Sequence, residues 1–414
     1  MKRYDQILFE RHFPVVGSLD SHTLLSYLEP KITQWLTKEE ILTKLALDRP
    51  LKIKLGIDPT APIIHLGHLV PLVILRLFLL AGHHTDLIIG DFTAQIGDPS
   101  GRTTERKTID RSTISNNYAN YQAFLGNFIE LDHLNIIKNS SWLDQITLPE
   151  WFKYMTMINL SEATQREDFR KRVENSQPVS MAEVSYGMLM GIDSIKLNTD
   201  IEISGLDQLL NVQQCRSMMK DSGMVREGCL IVPIIEGTTG DGRKMSKSYG
   251  NFIAIDLDDD DLFGKVMATS DKVIADYYLA FMMILPEEVK DIQVFCKSDP
   301  LEAKKQLATL LIAIRARDID SGLRARQNFE RIFSNQEILD QDFVQLQAAK
   351  NQLLFELLSH NLDYSKTALR TLFDQGGVKM INQDQSLTKL DQDFVIERDI
   401  KLKIGKRHYY RVSI

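Results

Sequence analysis

The stretch from residue 51 to residue 90 constrains this chain most. Leu51-Lys52-Ile53-Lys54-Leu55 alternates like a strand, and Gly56-Ile57-Asp58-Pro59-Thr60 ends it. An apolar helical stretch follows from about residue 66 to 81, then Gly82, then a second strand, Asp86-Leu87-Ile88-Ile89-Gly90. Strand, helix and strand in roughly 40 residues predict a right-handed unit with parallel strands. The longest apolar run, from Leu69 to Gly82, is broken by Arg76. It falls short of the ~20 residues of a bilayer-spanning helix, so it is read as a buried helix.

Two later runs extend the sheet. Residues 194–203 read as a strand before Gly205-Leu206-Asp207-Gln208, and 230–235 as another before a lysine-rich segment. Residues just past strand C-termini are where an open doubly wound sheet binds ligands. The stretch from about 105 to 175 reads mainly as helices, an insertion between the two halves of the sheet. Beyond residue 255 the pattern turns helical, through 272–285 and 301–333, and the polar passage 334–351 reads as a linker. The expected organisation is an α/β, doubly wound parallel-sheet nucleotide-binding catalytic domain over 1–250. An α-helical domain over 251–345 and a small α+β domain over 350–414 follow it.

Charge and cysteine usage narrow the function. The net charge of −7 argues against a general nucleic-acid coat. Residues 361–414 carry ten Lys and Arg against seven Asp and Glu, a balance of +3, which leaves −10 on the rest of the chain. Any RNA contact of the tail therefore sits where attraction is strongest. Cys215, Cys229 and Cys296 are scattered, with no Cys-x-x-Cys pair. That favours reduced thiols in a cytoplasmic protein and gives no zinc site. Met1-Lys2-Arg3-Tyr4-Asp5 leads into no apolar signal-peptide core, and no membrane role is expected.

Two short motifs carry chemistry. In Asp58-Pro59-Thr60-x-x-x-x-His65-Leu66-Gly67-His68, the imidazoles lie three apart on the first turn of a helix. A helix N-terminus already favours anions. Gly67 leaves space for a flat base against the backbone. An isolated His-x-x-His is more often a pair of surface histidines or half of a metal site, so the second motif matters. Lys244-Met245-Ser246-Lys247-Ser248 follows a loop with three glycines, Gly237 to Gly242. Such a loop has few backbone restraints and can close two lysines over a triphosphate, stabilising charge that develops in the transition state. Asp207, at the end of its strand, is placed to accept hydrogen bonds from a ribose, and Gly56 permits close ribose approach.

Together these motifs resemble the class I aminoacyl-tRNA synthetases. Lys54 to Pro62, His65 to His68, Gly90 to Arg102 and Gly205 to Gln208 are similar to the bacterial tyrosyl-tRNA synthetases, and the resemblance covers nearly the whole chain. The tail resembles their S-four type of RNA-binding domain, through Ser365-Lys366, Arg370, Gly376-Gly377-Val378 and Ile404-Gly405-Lys406-Arg407. The resemblance implies ATP-dependent activation of tyrosine, with Mg²⁺ accompanying the ATP, and transfer to tRNA(Tyr) by a homodimer. No DNA partner is implied. Thr60 and His65 would serve the leaving phosphates, with Lys244 and Lys247, while His68 lines the nucleotide site. Asp58, Met245, Ser246 and Ser248 join the nucleotide side. Asp98 and Tyr186 would hold the α-ammonium, Asp193 would accept the phenolic O–H, and Gln208 would lie near the carboxylate.

The chain departs from that pattern within Tyr186-Gly187-Met188-Leu189-Met190-Gly191-Ile192-Asp193. Met190 stands where the family usually has a glutamine, and Ile192 and Ile57 stand where it has aromatic residues. A thioether cannot replace an amide as a hydrogen-bonding group. Two alternatives stay open at this point. One is an adenylating paralogue acting on a tyrosine analogue or another amino acid; the other is an RNA-binding protein with a retired active site. The run Asp258 to Asp261 reads as an acidic helix start, His83-His84 as an exposed turn, and Arg102, Arg106 and Lys107 as a basic loop within reach of pyrophosphate.

Overall fold

The computed structural model describes residues 4–100, 109–159, 161, 167–334, 343–362, 364–382, 386–405 and 408–414. The chain divides into two compact units, Met1–Phe329 and Glu330–Ile414. In the first unit six strands form one sheet. They are β1 (Gln34–Leu36), β2 (Lys52–Ile57), β3 (His84–Ile89), β4 (Asn135–Lys138), β5 (Ile201–Gly205) and β6 (Gly228–Val232). Their order is β1-β6-β5-β2-β3-β4, with β1 antiparallel to β6 and every other pair parallel. From β2 the chain proceeds outward to β3 and β4, then returns to the other side of β2 with β5 and β6. The crevice at this reversal, past the C-terminal ends of β2 and β5, is where ligands bind in such sheets.

The helix Leu66–Leu80 runs beneath that crevice. Leu69, Val70, Leu72, Ile74, Leu75, Leu77 and Phe78 are all buried, so the helix is apolar all round because it lies inside the core rather than on a surface. Its one charged residue, Arg76, is 4% exposed and makes two hydrogen bonds, of 2.8 and 2.7 Å, to the Glu130 carboxylate. No helix among the described residues is long and apolar enough to cross a membrane. The core combines the sheet with later helices. Of the α-helical domain expected over 251–345, the part up to residue 329 shares one hydrophobic cluster with it.

Three sequence expectations need correction. Residues 194–197 finish the helix Tyr186–Leu197, which ends where Asn198 turns left-handed at φ 51°, so strand β5 begins only at Ile201. The insertion between the sheet halves contributes β4, one of the sheet's two edge strands; its Asn135-Ile136-Ile137-Lys138 is too short to signal a strand by pattern. The passage read as a linker supplies the strand Phe343–Gln347, which pairs in parallel with His408–Ser413 in the second unit.

Among its described residues, that second unit has a five-stranded sheet, a two-stranded pair (Gln352–Leu353 with Val395–Ile396) and two α-helices, Leu354–Asn361 and Lys366–Asp374, around its own core of Leu354, Leu358, Leu369, Phe373 and Leu402. The acidic run begins a helix, Asp259–Met267, capped by the Asp258 carboxylate. His83 is half-buried, and its Nδ1 accepts from the Leu51 N–H at 3.1 Å, while His84 is exposed. All three cysteines are buried free thiols.

Candidate active site

A cleft of about 300 Å³ opens at the reversal point of the sheet. Gly56, Asp58 and Thr60 line it from the end of β2, Asp98 from the segment after β3, and Gly205 and Gln208 from the end of β5. The helix Tyr186–Leu197 contributes Tyr186, Met190 and Asp193, seven residues apart end to end and hence on one face.

The deep end is built around Asp193, which is 4% exposed. Its Oδ1 accepts from the Trp142 indole N–H at 2.7 Å, and its Oδ2 from the Asn139 amide at 3.3 Å. Burial pushes its carboxyl up to about 7, against the Lys54 ammonium and these two donors, which act to hold it down. The same Asn139 amide lies 3.2 Å from Thr93 Oγ1, and that hydroxyl donates to Asp58 Oδ1 at 2.7 Å. Tyr186 completes the chain by donating to Asp58 Oδ2 at 3.0 Å. Asp58, grouped with the nucleotide residues from sequence, thus lies at the junction of both halves. Gly90 makes this arrangement fit: a Cβ there would overlap both the Asp58 carboxylate and the Thr93 hydroxyl. Burial and the nearby Asp58 and Asp98 push the Tyr186 phenol well up, so it stays a donor.

A second polar chain lines the other wall. Gln208 donates to Asp98 Oδ2 at 2.6 Å, and its own carbonyl accepts from Asn211 at 2.7 Å. Asp98 also accepts from the Ser100 N–H and hydroxyl, at 3.0 and 2.7 Å. Its position is therefore fixed by three donors before any ligand arrives. Asp207, one residue earlier than Gln208, is exposed on the short helical turn Leu206–Gln208.

The two sequence motifs, 176 positions apart at Lys244 and His68, meet in space. His65 pairs across an isolated bridge with Ala254, and the Leu66 N–H donates to the Ile253 carbonyl at 3.0 Å. The imidazoles of His65 and His68 lie 3.9 Å apart between centroids, and His65 Nδ1 has no hydrogen-bond partner. A side chain at Gly67 would crowd the His65 ring. Burial, then the neighbouring imidazole and the Lys247 charge, push His65 down to about 3. Burial and Lys247 push His68 down to about 4. Both are neutral at physiological pH. Lys247 is partly buried, and its own ammonium is pushed down by that burial, with Asp256 opposing.

The lysine segment is more restrained than its glycines suggest. Asn251, 1% exposed, accepts from the Ser246 N–H at 2.8 Å and donates to the Lys244 carbonyl at 3.1 Å. Met245 is buried in the core, and its N–H donates to the Ile235 carbonyl at 2.9 Å. Ser248 closes a turn on Ser246 Oγ at 3.3 Å. The Lys244 side chain is exposed. Arg102, Arg106 and Lys107 lie outside the described residues.

The profile of the tRNA synthetases class I (W and Y) matches residues 46–334. This chain belongs to that family. The synthetase is 33% identical over 378 residues to the tyrosine–tRNA ligase of Aquifex aeolicus, covering 91% of this chain and 95% of that one. It is 32% identical over 399 residues to the tyrosine–tRNA ligase of Haemophilus influenzae, covering 95% and 98%. Solved structures share the fold. A C-terminally truncated mitochondrial tyrosyl-tRNA synthetase of Coccidioides posadasii matches with TM-score 0.61 at 20% identity, over 78% of this chain and 97% of that one. The tyrosyl-tRNA synthetase of Archaeoglobus fulgidus, complexed with L-tyrosine, matches with TM-score 0.58 at 17% identity, over 74% and 99%.

Sequence reasoning missed four residues that line or brace the synthetase's site: Thr93 and Asn139 in the cleft, Trp142 behind Asp193, and Asn251 in the lysine segment. Asn139 and Trp142 follow β4, so reading that strand would have pointed to them. Asn251 follows Gly250 just after the lysine motif, a position where an amide commonly ties a loop to its own backbone.

Proposed function

We propose that this synthetase is a tyrosine–tRNA ligase that uses ATP to form tyrosyl-adenylate and then loads tyrosine onto tRNA(Tyr). One observation carries the reading: a single cleft joins the Gly56–Thr60 segment to a deep, donor-held carboxylate, Asp193. A buried carboxylate at the end of a pocket favours a ligand that supplies a donor, and it leaves phenylalanine without one. Strong discrimination against phenylalanine is an established property of tyrosyl-tRNA synthetases as a class.

The tyrosine carboxylate attacks the α-phosphate of ATP and pyrophosphate leaves. A carboxylate is already ionised, so the step needs no general base. It needs alignment and neutralised charge. Asp98 and Tyr186 take the α-ammonium, Asp58 keeps Tyr186 oriented, and Gln208 lies near the carboxylate. Thr60, the neutral His65 and His68, and Lys244 with Lys247 act on the phosphates, while Gly56, Gly67 and Asp207 accommodate the nucleoside. Mg²⁺ enters with ATP as part of the substrate. Among the described residues, the one cluster with metal-ligand spacing is the buried set Glu202, Cys215 and Glu227, beside which the Lys54 ammonium already sits.

The basic tail grips tRNA through its backbone and shape. A homodimer is supported by Leu148, Phe152 and Met155, which are exposed along one helix at spacings of one and two turns. The site of action is the cytoplasm, in keeping with three reduced, buried thiols. Amino-acid-dependent pyrophosphate–ATP exchange across a panel of amino acids tests the assignment. Tyrosine should be the preferred substrate. Exchange with another amino acid alone would support a paralogue with a rebuilt pocket around Met190, and no exchange at all would support a retired site.

A further inference from the structure

At the floor of the cleft, which Glu202 helps to line, lies a buried charge cluster. Lys54 on β2 is the cross-strand partner of Glu202 on β5, and each is 2% exposed. Lys54 Nζ lies 3.1 Å from Glu202 Oε2. It also donates to Ser194 Oγ and lies 3.5 Å from the Met190 carbonyl oxygen. Ser194 Oγ lies 3.2 Å from Glu227 Oε1. Burial, with the neighbouring Glu202 adding to it and the Lys54 ammonium opposing, pushes the Glu227 carboxyl well up. A buried ammonium is tolerable where, as here, carboxyl groups and a hydroxyl surround it.

Two of the three contacts fall on the helical turn 190–194, and Asp193 lies between them. We propose that Lys54 is a positioning residue for amino-acid recognition: from the sheet floor it fixes the turn that presents Asp193 to the phenol of tyrosine. The inference rests on the tyrosine reading above. Lys54 also opposes the burial of Asp193 through its charge. The groups facing it are Glu202 from β5, Glu227 from the segment before β6, Asp193 and Ser194 from the helix, and Cys215 from the helix Leu209–Asp221.

The test compares the full-length protein with Lys54→Met, Lys54→Arg and Ser194→Ala by tyrosine-dependent exchange from pH 6 to 9. Lys54→Met should raise the tyrosine KM about 10- to 100-fold, with kcat and the ATP KM within about threefold. It should also move the acidic limb of kcat/KM for tyrosine to higher pH, because Asp193 loses its countercharge. Lys54→Arg should keep that limb in place. Ser194→Ala, the mild variant, should raise the tyrosine KM about threefold. A folded Lys54→Met protein with the wild-type KM and limb, or with equal losses in every parameter, overturns the inference. If Lys54→Met does not fold, an unchanged KM in Ser194→Ala does the same. Absence of tyrosine exchange in the wild type overturns the functional reading itself, and the inference with it.

Discussion

The two halves of the proposed site use burial in opposite ways. In the half we propose for the nucleotide it strips His65 and His68 of charge and leaves both far below neutral pH, at about 3 and about 4. Positive charge there resides on Lys247 and the exposed Lys244, in a segment outside the sheet. In the amino-acid half, burial brings Asp193 only to about 7, so its charge is kept by Lys54, Trp142 and Asn139. One half is indifferent to pH and depends on where its lysines are. The other depends on a carboxylate held at the edge of protonation.

Lys247→Ala should break the nucleotide half most severely. We expect adenylate formation to slow about 100- to 1,000-fold in single turnover, with tyrosine affinity within about threefold of wild type. Equal losses in both would remove the transition-state role. Trp142→Phe attacks the other half by deleting the donor to Asp193. The tyrosine KM should rise about tenfold and the ATP KM should hold, measured by exchange kinetics. Unchanged tyrosine use would mean that Asp193 does not need that donor.

The pH dependence sharpens the contrast. Between pH 7 and 6 the tyrosine KM should rise about fivefold as Asp193 protonates, while the ATP KM stays flat. For Asp193 the stability of the ligand-free protein runs opposite to tyrosine binding. Asp193 is raised in the fold above its ordinary 3.8, so the stability it contributes to the ligand-free protein is full below that value and is lost as pH climbs through about 7. His65 and His68 are depressed below 6.5, so their contribution to stability is lost as pH falls from there toward 4 and 3. Thermal melts from pH 4 to 8 report both. The smallest effect is expected from Met190→Gln, which should lower the tyrosine KM about threefold by supplying an amide beside Asp98 and Tyr186. A higher KM would mean that the pocket is shaped around the thioether.

The same contrast explains what could be read from the sequence. The nucleotide half is made of contiguous pieces: a strand, a turn and a helix start, then a five-residue segment. Their spacing survives in the sequence, and the β2–helix–β3 unit was legible to within two or three residues. The amino-acid half is assembled from the ends of β2, β3, β4 and β5 and one helix, whose residues are up to 150 positions apart between Asp58 and Gln208. No local period encodes that Tyr186 would donate to Asp58. The four-residue β4 carries too few positions to reveal its alternation, and Asn139 and Trp142 were hidden with it. The restraint on the lysine segment was missed for a different reason: it comes from one buried amide, Asn251, that a reading of glycines cannot weigh.

The buried cysteines have a practical consequence. Burial pushes the thiols of Cys215 and Cys229 well up and that of Cys296 to about 11, so at neutral pH all three stay protonated. Alkylating reagents therefore meet an almost silent background. A fluorophore placed through Tyr249→Cys, at a site 51% exposed beside the lysine motif, would label alone. Motion of that segment during a catalytic cycle can then be watched in the otherwise natural chain, with every native thiol left in place.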